Sequence, residues 1–165
     1  MTVANVFQPE FDHEEDRPGF THRRARIGWE AGSERLGASV YELPPGQATF
    51  PYHYHTANEE LLIVLSGRPS LRSPNGWREL AEGQVVAFRA GEDGAHQIVN
   101  RGSDRATFFV LSTMIAPEIT EYPDTGKVGA LQRAPGAPGG GGQRFFKPGD
   151  AVDYWEGEEP PGEAP

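Results

Sequence analysis

The segment HYHTANEELLIVLSG, residues 53–67, places two histidines and two glutamates directly before an uninterrupted apolar run. His53 and His55 are two residues apart, so on an extended segment both side chains project to the same face. The run LLIVL is apolar at every position, which is typical of a strand covered on both faces. Two interpretations of the histidines are open: a metal site on buried strands, or exposed side chains beside a core strand.

Short apolar runs separated by turn residues recur through the middle of the chain. Asn75 and Gly76 form the strongest hairpin signal among those turns. The runs are LGASVYEL, ELLIVLSG, PSLRS, WREL, VVAF, HQIVN and ATFFVLSTM. At least seven short strands without a convincing amphipathic helix predict an all-β sandwich or barrel.

The pattern divides the chain into three parts. Residues 1–35 are predicted to be an extended lead-in, residues 36–116 the β-barrel, and residues 117–165 a C-terminal extension. In that extension, the Gly-rich stretch 134–142 is predicted to be a loose loop. The aromatic segment 144–157 is predicted to dock on the barrel or on a partner subunit, and the acidic tail after it to be disordered.

Composition excludes several classes of function. The chain has 165 residues, a net charge of −9 and no cysteine, so thiolate chemistry, disulfides and zinc–thiolate sites are excluded. Its one basic cluster, HRRAR at 22–26, is short and flanked by acidic residues, and we interpret it as a solvated face; nucleic acid is not an expected partner. The sequence shows neither a signal peptide nor an apolar run of membrane-spanning length, so we expect a cytoplasmic protein with no membrane partner.

Two further residues complete a candidate metal site. Glu60 begins the apolar strand and offers a hard oxygen ligand, while His96 begins a later strand after a glycine-containing turn. Three neutral imidazoles and one carboxylate suit a divalent transition metal such as Fe, Mn, Zn, Ni or Co. Glu59 is the competing carboxylate.

The spacing of these residues resembles the two signature motifs of the cupin superfamily. The first motif is matched by Gly46, the His53–His55 pair, Glu60 and Gly67, with the gap after Gly46 one residue longer than in the family. The seven-residue step to Gly67 favours Glu60 over Glu59, which would then point outward.

The second motif is matched with two departures. Gly83, Gly91, His96 and Asn100 occupy its positions, but Arg89 replaces the family's proline and the gap before His96 is two residues longer. These departures lie in the turn that leads to His96.

The resemblance implies a double-stranded β-helix, a jelly-roll barrel with irregular extensions, in a single-domain bacterial cupin of unassigned function. It implies that the metal ligands are His53, His55, Glu60 and His96, and that the protein is a homodimer. Strand alternation suggests that Leu62, Phe88 and Ile98 line the cavity around the metal and contact the substrate. A role in ordinary core packing explains these three residues equally well.

A site of this charge is expected to bind a small anionic metabolite. Isomerase or epimerase chemistry and dioxygenase chemistry are both implied by the resemblance, and no residue is assigned as general acid or base. The alternative is a cupin that binds or senses a small molecule without turning it over.

Overall fold

The computed structural model describes residues 1–132 and 142–160, and strands dominate them. One short helix, α1 (Ile27–Glu30), and one 3-10 turn (Glu92–Gly94) interrupt the strands. The strands are β1 (His13–Glu15), β2 (His22–Ala25), β3 (Leu36–Leu43), β4 (Tyr54–His55), β5 (Glu60–Ser66), β6 (Ser70–Ser73), β7 (Gly76–Glu79), β8 (Val85–Phe88), β9 (Gln97–Val99), β10 (Ala106–Thr113), β11 (Glu118–Tyr122), β12 (Lys127–Leu131) and β13 (Gln143–Phe146). The prediction of an all-β fold is confirmed.

One wall of the barrel is a six-stranded sheet in the order β1-β2-β3-β10-β5-β8, with every neighbour antiparallel. The long strands β3 and β10 lie at its centre. Gly67 ends β5 with φ of +79°, and a Cβ there would lie 2.8 Å from the carbonyl oxygen of Arg105. Only glycine combines that backbone conformation with so close an approach.

The facing wall consists of a four-stranded sheet, β13-β12-β11-β4, and a three-stranded sheet, β7-β6-β9. An isolated antiparallel bridge between His53 and His96 joins the two pieces. Two histidines that are far apart in sequence therefore become direct neighbours. The hairpin predicted at Asn75–Gly76 is present, because Ser73 pairs with Gly76 across the turn between β6 and β7.

The main core lies between the two walls. The strand β5 contributes Leu62 and Val64, which are 0% and 1% exposed, whereas Leu61, Ile63 and Leu65 are half-buried. The rest of this core comprises Tyr41, Leu43, Leu71, Leu80, Phe88, Ile98 and Phe108. Burial of the alternate residues orients one face of β5, including Glu60 at its start, towards the interior.

A second apolar cluster covers the outer face of the six-stranded sheet. Ala25, Ile27 and Val40 are its buried members, and Phe11 and Leu65 pack against them. Part of the outer face of β5 is thus covered, as its apolar run predicts.

Both ends of the chain join the sheets. The predicted lead-in contains β1, β2 and α1, and β2 extends the sheet beside β3. Beyond residue 116, β11 pairs with β4 and β12 pairs with β13. Strand pairing therefore continues past the predicted end of the barrel, because β4 is short and leaves an edge that β11 extends.

The predicted aromatic segment starts in β13, whereas Val152, Tyr154 and Trp155 are exposed in the single chain. Docking of these three side chains on a partner subunit stays a prediction, as does the homodimer. Most of the predicted Gly-rich loop and residues 161–165 of the acidic tail lie outside the described residues. The described residues contain no helix long and apolar enough to cross a membrane.

Candidate metal centre

The two walls bring three predicted ligands together. His53 and His96 are cross-strand partners whose ring centroids lie 4.7 Å apart, and both side chains are buried. Glu60 extends from the opposite wall, and its Oε2 lies 3.3 Å from His96 Nε2. One potential ligand atom from each of these three residues lies within 4.8 Å of the others.

Backbone carbonyls orient two of the imidazoles. His53 Nδ1 lies 2.8 Å from the carbonyl oxygen of Pro51, and His96 Nδ1 lies 3.0 Å from that of Gly94. Since a carbonyl only accepts hydrogen bonds, each Nδ1 must carry the proton. In the neutral rings the Nε2 lone pairs are therefore free for another partner.

The cluster therefore contains several hydrogen-bond acceptors but few protons for them to accept. The pKa of His53 is lowered to about 3, first by burial and then by the neighbouring His96 and His55, so this ring is neutral at pH 7. Burial alone would raise the pKa of Glu60, but at low pH, where the rings are protonated, the hydrogen bond and charge of His96 and the charges of His55 and His53 lower it to about 2. An ionised carboxylate beside imidazole lone pairs needs a cation between them, and the residues present fit a divalent metal.

The fourth predicted ligand, His55, lies beside this cluster. Its Nε2 is 3.7 Å from Glu60 Oε2, and its ring centroid is 5.2 Å from that of His53. Strand alternation brings His53 and His55 to the same interior face, as the sequence predicts. Glu59, the competing carboxylate, is exposed and does not join the cluster.

A buried carboxylate that the sequence did not reveal lies behind His55. Glu118 is 0% exposed, and its Oε2 lies 4.0 Å from His55 Nδ1, an atom that has no hydrogen-bond partner among the described residues. The backbone amides of Thr56 and Ala57 and the side-chain amide of Asn58 all donate to this carboxylate. Its charge favours a proton on His55 Nδ1, which directs Nε2 towards Glu60.

The turn that departs from the second motif holds His96 in place. Its extra residues form the 3-10 turn, and a Cβ on Gly94 would lie 1.8 Å from the carbonyl oxygen of Arg89, so the turn has no space for a side chain. On its other side, His96 stacks on the Phe88 ring with a centroid distance of 3.8 Å and an angle of 10°. Both contacts restrict the orientation of the imidazole.

The cluster opens into a cavity of about 350 Å³, which is large enough for a small metabolite. The three apolar residues predicted near the metal, Leu62, Phe88 and Ile98, lie in its wall. Phe145 of β13 also lines the cavity, so part of the aromatic segment lies beside the site.

The basic cluster HRRAR does not form a wholly solvated face. His22 is 2% exposed, and Arg24 lines the cavity. The interpretation was wrong for these two residues, because β2 joins the sheet and turns alternate side chains inward. Arg23 and Arg26 remain partly exposed and make ion pairs with acidic residues.

Comparison with known proteins agrees with this architecture. Residues 39–112 match the family described as Cupin domain, and that range holds both motifs and all four predicted ligands. The chain therefore contains a single cupin domain with the double-stranded β-helix fold of the cupin superfamily, and the resemblance stated from the sequence is confirmed. No curated protein matches the chain.

Solved structures give a similar result. A sugar phosphate isomerase of the cupin superfamily from Silicibacter pomeroyi is 25% identical, with a TM-score of 0.74 over 88% of this chain and 92% of that one. A protein provisionally named a sugar phosphate isomerase, from Acidithiobacillus ferrooxidans, is also 25% identical, with a TM-score of 0.70 over 82% and 81%. A predicted oxalate decarboxylase from Thermotoga maritima, at 19% identity and a TM-score of 0.58 over 69% and 100%, shares the fold.

Proposed function

We propose that His53, His55, Glu60 and His96 bind a divalent transition metal, and that the protein uses this site to isomerise a small anionic metabolite of the sugar phosphate type. The observation that carries the proposal is the convergence of buried imidazole nitrogens on the Glu60 carboxylate. Without a cation, these acceptors would face each other inside a low-dielectric cavity, which is costly.

The similarity to the Silicibacter pomeroyi isomerase supports the choice of reaction. A bound divalent metal supplies a Lewis acid that polarises the carbonyl of a sugar. The chain itself contributes the orientation of the ligands and a partly apolar wall. Leu62, Phe88 and Ile98 exclude water from that part of the cavity, which strengthens every electrostatic interaction there.

Metal analysis of the purified, tag-free protein tests the first part of the proposal. The wild-type protein and a His13→Ala control should carry close to one transition metal ion per chain, because His13 is exposed and lies outside the cluster. His96→Ala should lose most of the metal. Equal metal content in wild type and His96→Ala would refute the proposed site.

The reaction is tested separately. Aldose and ketose phosphates incubated with the metal-loaded protein in D₂O should interconvert and exchange the hydrogen beside the carbonyl, as followed by proton NMR. Metal binding without interconversion of any phosphosugar would exclude the isomerase and favour a protein that binds or senses its ligand.

A further inference from the structure

Arg24 is a cationic side chain directed into the cavity from the N-terminal part of the chain. In the register of β2 and β3 it lies opposite Tyr41, and both residues line the cavity. The Nε atom of Arg24 is buried and has no hydrogen-bond partner among the described residues. Buried polar atoms are almost always paired, so this donor requires a partner that the folded chain does not provide.

The neighbouring arginines show that this arrangement is particular to Arg24. Arg23 makes a short ion pair with Glu42, and Arg26 Nε lies 2.6 Å from Asp12 Oδ2. Within residues 1–132 and 142–160, no carboxylate lies within ion-pair distance of Arg24. Its positive charge therefore remains available to a ligand in the cavity.

Polar groups continue from Arg24 towards the histidine cluster. Tyr41 is almost fully buried, and its phenol interacts with Arg24 through a hydrogen bond and with Glu60 through charge, so it lies near both the guanidinium and the predicted metal ligands. Thr120, which is 3% exposed and lies opposite His55 in the sheet, lines the same cavity with an unpartnered Oγ1. Together with His55 Nδ1, these are three polar atoms, from two different sheets, that have no partner in the described part of the chain and belong to residues that line one cavity.

Charge determines which ligand fits this arrangement. Three neutral histidines, Glu60 and a divalent cation leave about one positive charge at one end, which the Glu118 carboxylate behind His55 partly offsets, and Arg24 adds a separate positive charge. Arg24 therefore still lacks a counter-charge when a singly charged ligand is bound at the metal.

We propose that Arg24 forms a second anion-binding subsite, which holds the terminal phosphate or carboxylate of a bifunctional ligand whose other end lies at the histidine cluster. This inference rests on the proposed function for the second end of the ligand, but the subsite itself depends on residues outside the metal-ligand set. The ligand class is a short polyhydroxy compound with an anionic group at the end distant from the metal. Arg24 suits that group because a guanidinium pairs with planar or tetrahedral oxyanions through two parallel hydrogen bonds.

Three probes test the subsite: ribonate, 5-phosphoribonate and ribarate. They share a hydroxy-acid end, none can be isomerised, and the last two add a terminal phosphate or carboxylate. Calorimetric titration of the metal-loaded wild-type protein should show that one or both of the latter two bind about 10- to 100-fold more tightly than ribonate. The tighter of the two identifies the preferred anion.

Arg24→Met should abolish this advantage and leave the affinity for ribonate and the metal content unchanged. Arg23→Gln removes the same charge from the opposite face of β2 and should keep the advantage. If Arg24→Met does not fold, as judged by circular dichroism, Arg24→Lys serves instead and should retain a reduced advantage. An advantage that is absent in the wild type, or that persists fully in the Arg24 variant, would overturn the proposal.

Titration of inorganic phosphate into metal-free protein separates the two proposals. If Arg24→Met weakens phosphate binding, the subsite is supported. This holds even if the metal contents of wild type and His96→Ala are equal and the metal site is refuted. If the protein binds metal but wild type and Arg24→Met bind phosphate equally well, the metal site is supported and the subsite is refuted.

Discussion

Replacing Glu118 by Gln is expected to weaken metal binding although no metal ligand is changed. The carboxylate accepts hydrogen bonds at 2.9 Å and 3.2 Å from the amides of Thr56 and Ala57 on Oε1, while Oε2 accepts from the Asn58 amide and faces His55 Nδ1. If the Gln oxygen keeps its hydrogen bonds from the two backbone amides, the Gln amino group must face two donors, the Asn58 side-chain amide and His55 Nδ1. One charge-assisted hydrogen bond is lost inside a fully buried site, which costs ~1–3 kcal/mol.

The same change removes the charge that orients His55, and loss of such a partner typically weakens metal affinity by ~10- to 100-fold. Competition with a chromogenic chelator measures this affinity, and urea unfolding of the metal-free protein measures the loss of stability. Glu121→Gln is the matched control, because Glu121 lies on the opposite face of β11 and pairs with Tyr54 rather than with the cluster. Equal metal dissociation constants for wild type and Glu118→Gln would refute the reasoning.

Three other changes give separate expectations. His53 has a pKa of about 3 in the folded protein, whereas its pKa in the unfolded chain is about 6.5. Between those two pH values only the unfolded chain binds this proton. Metal-free protein should therefore lose up to ~1.4 kcal/mol of stability for each pH unit below 6.5. Urea unfolding between pH 7.5 and pH 5 tests this, and an unchanged slope in His53→Gln would contradict it. Gly94→Ala should weaken metal binding at least about tenfold in the chelator assay, because the added Cβ would displace the turn before His96. Gly102→Ala is the control and should not weaken it, because the nearest atom to its added Cβ would lie 3.4 Å away. Phe88→Leu removes the ring stacked on His96 and should lower the free energy of unfolding by ~1–2 kcal/mol; an unchanged urea midpoint would argue against that contact.

The sequence predicts the local part of the site well. Two residues of spacing place His53 and His55 on one face of an extended segment, and Glu60 begins the next strand on its interior side. Both relations follow from strand alternation, which a single sequence displays directly. The choice of Glu60 over the exposed Glu59 rests instead on the seven-residue step to Gly67 in the family motif, because the run LLIVL is apolar at every position and shows no alternation.

The residues that sequence reasoning missed depend on pairing between distant strands. Arg24 enters the cavity because β2 pairs with β3 in a particular register, and Glu118 reaches His55 because β11 extends the short strand β4. Neither register is encoded in a local pattern.

The arrangement of the cavity separates two kinds of information along the chain. All four predicted metal ligands lie within residues 39–112, the part that matches the cupin domain, whereas Arg24, Thr120 and Phe145 come from the segments on either side. Changes at Arg24, Thr120 or Phe145 can therefore alter ligand choice without replacing a predicted metal ligand, whereas Glu118, which orients His55, links one flank to the metal site. A chimera that keeps this central range and Glu118, and takes the rest of its flanks from a related barrel, should inherit the metal of one parent and the ligand preference of the other.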